Sequence, residues 1–419
     1  MSERVKRRRL NDPGDNIDGR NNPYSTASED ERRSWNGFCE LESEPALFNV
    51  MLRNFGVTGV KVQEVVSLDD ELLACLNKPV YGLIFLFRWR EDDPDKQEAS
   101  CPEGLWFANQ TANNACASVA LLNIVNNIEG VDLGENLRRF KDFTMPFTPA
   151  LRGDAINNFE FVKDVHNSFA RRMDILNSDL QLKFEAASRR HQSNKRGREE
   201  HEADAGFHFI AFVPVLGKVW KFDGLERQPQ ALGVFESDGD WLDLVKPNIR
   251  ARMEEYEEDQ IEFSVLSLVR DPLPDLVNQL AVNIKQLQTI ERAISSRERE
   301  ATGVGPRAMA PLPENTLLGT DVSYEVTENT ISEAAVPAGK EEEYLGCQMD
   351  ELVQQRIDLS RAQLELRATI RDEQQSQRAD DDYAAGRRYD YGPAVRTWLR
   401  LLARKRVIED LIPKSKESR

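Results

Sequence analysis

The chain has 419 residues, with 72 Asp+Glu against 55 Lys+Arg and a formal net charge of −17. That length implies two or three folded units, one of them large enough for a substantial core, and that charge argues against general nucleic-acid binding. No apolar run approaches the roughly 20 residues of a membrane span, the five cysteines are scattered without a CxxC pair, and no signal-peptide pattern is present, so the reading is a reduced, intracellular protein.

Residues 1–34 are polar and rich in Asn, Ser, Asp and Arg, the composition of a disordered tail. Within it, Arg4-Val5-Lys6-Arg7-Arg8-Arg9 is either a nuclear import signal or a solvated charge run. Residues 35–80 read as mostly helical, with turns at Gly56 and Gly59. An apolar strand from Tyr81 to Trp89 and a charged loop from Arg90 to Pro102 follow. Ala117 to Val125 is apolar on nearly all sides, as in a buried helix. Asn113 or Asn114 is expected to cap it. Cys116 then falls in its first turn, where unpaired N–H groups and the helix dipole favour negative charge. Just upstream, Gln110 offers a side-chain amide donor to an oxyanion forming beside that sulfur.

Residues 132–172 mix helices and turns, and within 173–206 the stretch from Arg189 to His201 has no apolar periodicity. Phe207 to Leu225 then reads as two strands around a turn at Leu216-Gly217. A two-residue loop sets Val215 against Lys218 and, counting back, His208 against Leu225. Asp223 then shares a face with His208, one diagonal step away. A three-residue loop reverses the parity and separates them. On a shared face the carboxylate accepts from one ring nitrogen and leaves the other for a thiol.

Each residue alone has a plainer explanation. A cysteine among small apolar helix residues is more often core. A histidine in an aromatic strand is more often a satisfied core residue, and Asp-Gly is ordinary turn chemistry. The conjunction decides. There are four histidines; His191 and His201 lie in a charged, low-complexity stretch, and His166 sits on a predicted helix. His208 is left as the base for Cys116, with Asp223 as its orienter.

Gln110, Asn113-Asn114-Ala115-Cys116, Phe207-His208-Phe209 and Asp223-Gly224-Leu225, in that order, resemble the active-site blocks of the ubiquitin C-terminal hydrolases. Phe38 to Pro45, Pro79 to Phe87 and Val165 to Ala170 resemble further blocks of that family. The resemblance covers about residues 35–270. It implies an α+β, papain-like cysteine protease core with a central antiparallel sheet flanked by helices. It also implies the site: Cys116 as nucleophile, His208 as general base and proton donor, Asp223 as orienter and Gln110 as oxyanion stabiliser, with no cofactor or metal. Residues 173–206 would then be the loop that crosses over the active site and limits what can be attached to ubiquitin.

Beyond the hairpin, Trp241 to Tyr256 is a predicted helix and Ile261 to Val269 a strand, with Pro272 and Pro274 ending the unit. Leu276, Leu280, Ile284, Leu287, Ile290 and Ile294 describe an amphipathic helix within 273–299. Residues 300–340 read as a disordered linker, and 341–378 resumes helical periodicity through Leu345, Leu352, Ile357, Leu359, Leu364, Leu366 and Ile370. The two helices are expected to pair with each other or to pack on the catalytic domain. Arg387 to Ala403 resembles the C-terminal extension of the long ubiquitin hydrolases. Residues 341–419 are therefore expected to be a helical module for a protein partner, either a proteasomal receptor or a chromatin-complex subunit. The domains expected are thus a tail (1–34), a catalytic domain (35–272), a helix, a linker and this module, in the nucleus and cytoplasm. The expected activity is thiol hydrolysis of the bond after ubiquitin's C-terminal glycine. A ubiquitin-binding scaffold needing a partner and a protease for a ubiquitin-like modifier are the alternatives.

Overall fold

The structure, a computed structural model, describes residues 27–89, 92–192, 206–236, 239–254, 263–300, 316–389 and 391–405. The basic cluster from Arg4 to Arg9 lies outside them. Six strands form one sheet: β1 (Val60–Glu64), β2 (Val80–Arg88), β3 (Phe207–Val215), β4 (Lys218–Phe222), β5 (Gln230–Val234) and β6 (Ser264–Arg270). Their order is β1-β6-β2-β3-β4-β5, and every neighbouring pair is antiparallel. The helices before and between the strands are α1 (Glu29–Ser34), α2 (Pro45–Phe55), α3 (Asp70–Leu73), α4 (Cys116–Val125), α5 (Gly134–Thr144), α6 (Pro149–Asn157), α7 (Glu160–Asn167), α8 (Arg172–Gln192) and α9 (Leu242–Glu254), so the end of the tail expected to be disordered, residues 29–34, is instead a helix closed by a Ser28–Glu31 capping box. After the sheet come α10 (Leu273–Glu300), α11 (Glu328–Glu333), α12 (Lys340–Gly346), α13 (Met349–Arg388) and α14 (Gly392–Arg404).

The central strands are apolar without a break because both of their faces are buried. Leu83, Phe85, Phe87, Ile210 and Phe212 join a cluster with Trp241, Leu242, Val245 and Ile249 on one face. Their neighbours Ile84, Phe209, Ala211 and Val213 point to the other face, into the larger core with α2 and α4. Alternation by two therefore persists, hidden from a hydropathy reading because each face meets helices.

Residues 35–80 are not mostly helical. The β1 strand, Val-Lys-Val-Gln-Glu, forms the sheet edge against β6, with Val60 and Val62 buried. Two residues' worth of inward side chains is too short a pattern to stand out between turns, and the pairing is supplied by a strand more than two hundred positions away. Residues 173–206 are likewise not all loop, since α8 runs to Gln192. Its residues are good helix formers, and it is exposed along much of its length, with Leu176, Leu180 and Leu182 in solvent. It therefore has no clean apolar stripe to read. The remainder of that segment, residues 193–205, lies outside the described residues.

The linker expected at 300–340 is shorter than predicted. Residues 301–315 lie outside the described residues, but Tyr324 and Val326 are buried against Leu280, Ile284 and Ile370. The α13 helix packs on α10, and its buried face differs from the apolar one expected. Leu345, just before it, and Leu364 are exposed, whereas Arg356, Ser360, Gln363 and Arg367 are buried with Leu352 and Ile370. These polar side chains are satisfied: Gln363 bonds Leu317 and Asn283, Arg356 pairs with Glu291, and Arg367 donates to the Tyr324 hydroxyl. Both expected packings occur at once, because α13 continues onto the catalytic domain. Ala384 enters the main core. Arg387 donates to Glu42 (2.9 Å), Asp174 (2.8 Å) and the Phe169 carbonyl (2.6 Å).

Candidate active site

Cys116 is the first residue of α4, but neither asparagine caps that helix. The N-cap is Ala115 and makes no side-chain bond. Asn114 instead sits in the left-handed region at φ 60°, which Asn tolerates better than most residues. Its Nδ2 donates to the Phe38 carbonyl (3.3 Å) and the Ser178 hydroxyl (3.2 Å). The left-handed turn reverses the chain into the helix. The first intrahelical bond is Val119 N–H to the Ala115 carbonyl, so the N–H of Cys116 is among the helix's uncommitted donors.

The β3–β4 hairpin has the two-residue loop expected. Leu216 and Gly217 both take positive φ, 54° and 72°, which suits a right-twisted hairpin, and Val215 pairs with Lys218. The ladder ends at Ala211–Phe222, so Leu225 is not a ladder partner of His208. Extended one step, the same register sets Asp223 beside Ile210, on the face of His208. The side chains meet: His208 Nε2 donates to Asp223 Oδ1 at 2.7 Å, with both residues about 4% exposed. The Cys116 sulfur is the ring's other polar neighbour. On the far strand Phe87, paired with His208, presents its ring edge-on at 6.4 Å.

Burial pulls the imidazole down, but the Asp223 carboxylate bonded to it and the neighbouring Cys116 sulfur more than offset this. They raise His208 from 6.5 to about 9. Burial works in the opposite direction on Asp223. His208, the Leu225 N–H at 2.9 Å and the nearby Lys221 ammonium hold its carboxyl below the ordinary carboxylate value. Lys221 in turn pairs with Asp92, which also takes Arg252. Nothing in the spacing of the chain signalled this charged group behind the carboxylate.

Gln110 makes no bond to the other three side chains. Its N–H donates to the Gly224 carbonyl at 2.7 Å, tying it to the residue after Asp223. Gly224 leaves little room for a side chain, since a Cβ there would stand 3.1 Å from the Gln110 backbone nitrogen and Cβ and 3.2 Å from Val119 of α4, and these neighbours would have to give by a few tenths of an ångström. The Gln110 Oε1 is buried without a partner among the described residues, so the protein does not commit that amide. Beside it, Asn109 Nδ2 donates to the Glu226 carbonyl at 2.6 Å. His166 is elsewhere, on α7. It is fully buried, its Nε2 donating to the Cys39 carbonyl (2.8 Å) and its Nδ1 accepting from Ser118 Oγ (2.7 Å). Among the described residues, no group of three His, Cys, Asp or Glu side chains could hold a metal, and no helix is long and apolar enough to cross a membrane.

A cysteine starting a helix, beside a histidine on an antiparallel sheet with a carboxylate bonded behind it, defines a class: an α+β cysteine hydrolase of papain-like layout. The particular family follows from comparison. The family model described as ubiquitin carboxyl-terminal hydrolase, family 1, matches residues 38–254, and the chain belongs to that family. It is 39% identical over 238 residues to the ubiquitin carboxyl-terminal hydrolase ubh-4 of Caenorhabditis elegans, covering 56% of this chain and 67% of the relative. It is 33% identical over 298 residues to isozyme L5 of Dictyostelium discoideum, covering 71% and 81%. Among solved structures, the Trichinella spiralis UCH37 catalytic domain bound to ubiquitin vinyl methyl ester is 33% identical, covering 56% of this chain and 96% of that one, with a TM-score of 0.45.

Proposed function

We propose that this chain is a cysteine-type deubiquitinase whose Cys116, His208, Asp223 and Gln110 hydrolyse the bond after the C-terminal glycine of ubiquitin. The observation that carries the reading is the buried His208–Asp223 pair, with Cys116 at the start of α4 as the ring's other polar neighbour, in a chain of the ubiquitin carboxyl-terminal hydrolase family. His208 accepts the Cys116 proton as the sulfur adds to the scissile carbonyl. The oxyanion is held by the Gln110 side-chain amide and the Cys116 N–H. Collapse of this intermediate expels the amine, which takes the proton from His208, and leaves a thioester. Water, deprotonated by His208, then releases ubiquitin and restores the thiol. Asp223 keeps the ring oriented throughout and stabilises its charged form.

The test is incubation of wild type and Cys116→Ala with ubiquitin carrying an electrophilic C-terminus. A covalent adduct with wild type alone is expected. Ubiquitin bound without an adduct would favour the scaffold reading, and no binding would sink the ubiquitin reading altogether.

The same proposal extends to a protein partner for the extension. The α14 helix leaves Val395, Trp398, Leu399 and Leu401 exposed, a face that supports docking of a proteasomal receptor or a chromatin-complex subunit. A nuclear and cytoplasmic location belongs to this reading, supported by the basic cluster from Arg4 to Arg9. Of residues 173–206, read by resemblance as the loop over the active site, 193–205 lie outside the described residues.

A further inference from the structure

The segment leading to Gln110, residues 105–110, belongs to no strand, yet its backbone is hydrogen-bonded as if it lay in a sheet. Its neighbour on one side is α4. The Asn127 side chain accepts from Trp106 N–H (3.0 Å) and donates to the Trp106 carbonyl (2.7 Å). One helical turn nearer the N-terminus, Asn123 accepts from Ala108 N–H (2.8 Å) and donates to the Ala108 carbonyl (3.2 Å). Asn127 also donates to the Asn123 carbonyl at 2.7 Å. Each carboxamide thus presents to one residue the donor and acceptor that a neighbouring strand would present.

The two periods match. Two residues of extended chain advance about 6.6 Å, and four residues of helix advance about 6 Å. Positions 106 and 108 therefore stay in step with 127 and 123. Continuing the ladder by one more step takes residue 110 toward 119, and Gln110 does lie beside Val119, with Gly224 packed against both. The intervening residues face the opposite way, as an extended chain requires. The carbonyls of Leu105 and Phe107 accept from the buried Arg152 guanidinium at 3.0 and 3.2 Å, and Asn109 N–H donates to Pro149 on α6.

Buried backbone groups need partners wherever they lie, and that alone would account for some polar side chain here. The requirement does not explain why one partner lies in the helix that begins at Cys116 and the other in the turn that closes it. Asn123 is fully buried within a helix that is otherwise almost wholly apolar, and Asn127 is 9% exposed just past its end, so each carries a desolvation cost that only these bonds offset. A rigid helix with the sulfur at its first residue, one amide along its side and another in its closing turn is a ruler for the chain beside it.

We propose that Asn123 and Asn127 are positioning residues that set the Gln110 amide at a fixed height relative to Cys116. The inference rests on the reading of Gln110 as oxyanion donor. Loss of a ladder bond lets the segment slip along α4. The donor then misses the developing charge while substrate still binds.

The experiment is a double-mutant cycle on the full chain, with ubiquitin bearing a fluorogenic C-terminal amide. Asn123→Ala is expected to lower kcat roughly tenfold to a hundredfold with KM within about twofold. In a Gln110→Ala background the same change is expected to cost no further kcat, although both backgrounds lose similar thermal stability. Losses that multiply in kcat, or an Asn123→Ala variant with wild-type kcat, overturn the proposal. Gln110→Ala with full turnover defeats the oxyanion reading itself, and a loss in Asn123→Ala would then act by another route and overturn the positioning role too. If Asn123→Ala does not fold, Asn127→Ser is carried through the same cycle. It lies one pair farther from Gln110 and keeps a hydroxyl, so a smaller drop in kcat is expected, again absent in the Gln110→Ala background. A drop that persists there overturns the proposal.

Discussion

Two buried histidines lie in two regions of one core and are tuned in opposite directions. Around His208 the partners are a carboxylate and a thiol, and the ring is raised to about 9. Around His166 they are a carbonyl and a hydroxyl, and burial, outweighing the bond to the Cys39 carbonyl, lowers it to about 4. Both rings are nearly inaccessible and both have two polar neighbours, so neither burial nor satisfaction separates them. What separates them is whether a partner carries charge. Neutral dipoles fix an imidazole as a structural cross-link, and an anion makes it a proton carrier at neutral pH.

The largest expected effect breaks the symmetry at its source. His208→Gln should lower kcat on a ubiquitin C-terminal amide by on the order of ten-thousandfold, since base and acid are lost together. His166→Gln, which retains an acceptor and a donor, should stay within a fewfold. Comparable losses in the two variants would mean that the distinction drawn here is wrong.

Asp223→Asn asks whether the anion is the cause. It should cost on the order of a thousandfold in kcat and move the His208 titration, followed by imidazole NMR, down from about 9 toward the ordinary value of 6.5. An unmoved titration would assign the shift to something other than the carboxylate.

Stability should depend on pH with opposite signs at the two sites. His166 titrates lower in the folded chain than its unfolded value of 6.5. The unfolded state then binds more protons between pH 6.5 and 4, so stability present above 6.5 is lost on acidification, by about 3 kcal/mol at pH 4. His208 titrates higher, so its contribution is full below 6.5 and lost as pH rises through about 9. Denaturant unfolding across this range should show His166→Gln flattening the acid limb and His208→Gln the alkaline limb. An acid limb that His166→Gln leaves as steep as wild type would remove the linkage. The smallest of these effects concerns charge on the substrate rather than the proton. Gln110→Ala should cost about a hundredfold in kcat and leave both histidine titrations where they are; a shifted His208 would show that Gln110 acts on the ring.

Much of this was legible in the chain because it is local. The turn at Leu216-Gly217 fixes the hairpin register, and register fixes the shared face of His208 and Asp223. The strand through Leu83 to Phe87 and the helix from Leu273 announce themselves by continuous or periodic apolar residues. The missed features depend on partners far along the chain. The β1 strand is a strand because β6 is beside it, and α8 is a helix without an apolar stripe. Arg356, Gln363 and Arg367 are buried because residues 317 and 324 and α10 supply their partners, and Ser360 bonds back to the Arg356 carbonyl of its own helix. One signal lay in the chain itself: Asn123 interrupts an almost wholly apolar helix, and Asn127 follows four residues later, just past its end.

By itself the sequence determined the chemical inventory, a thiol at a helix start, an imidazole and a carboxylate on one hairpin face and an amide upstream, because covalent order and short-range register fix those relations. Only the tertiary structure decided the approach of His208 to Cys116, the sign of each histidine's shift and the tether from Arg387 to Asp174. Those depend on which groups share a low-dielectric interior, and packing across the sheet, rather than position along the chain, selects these neighbours.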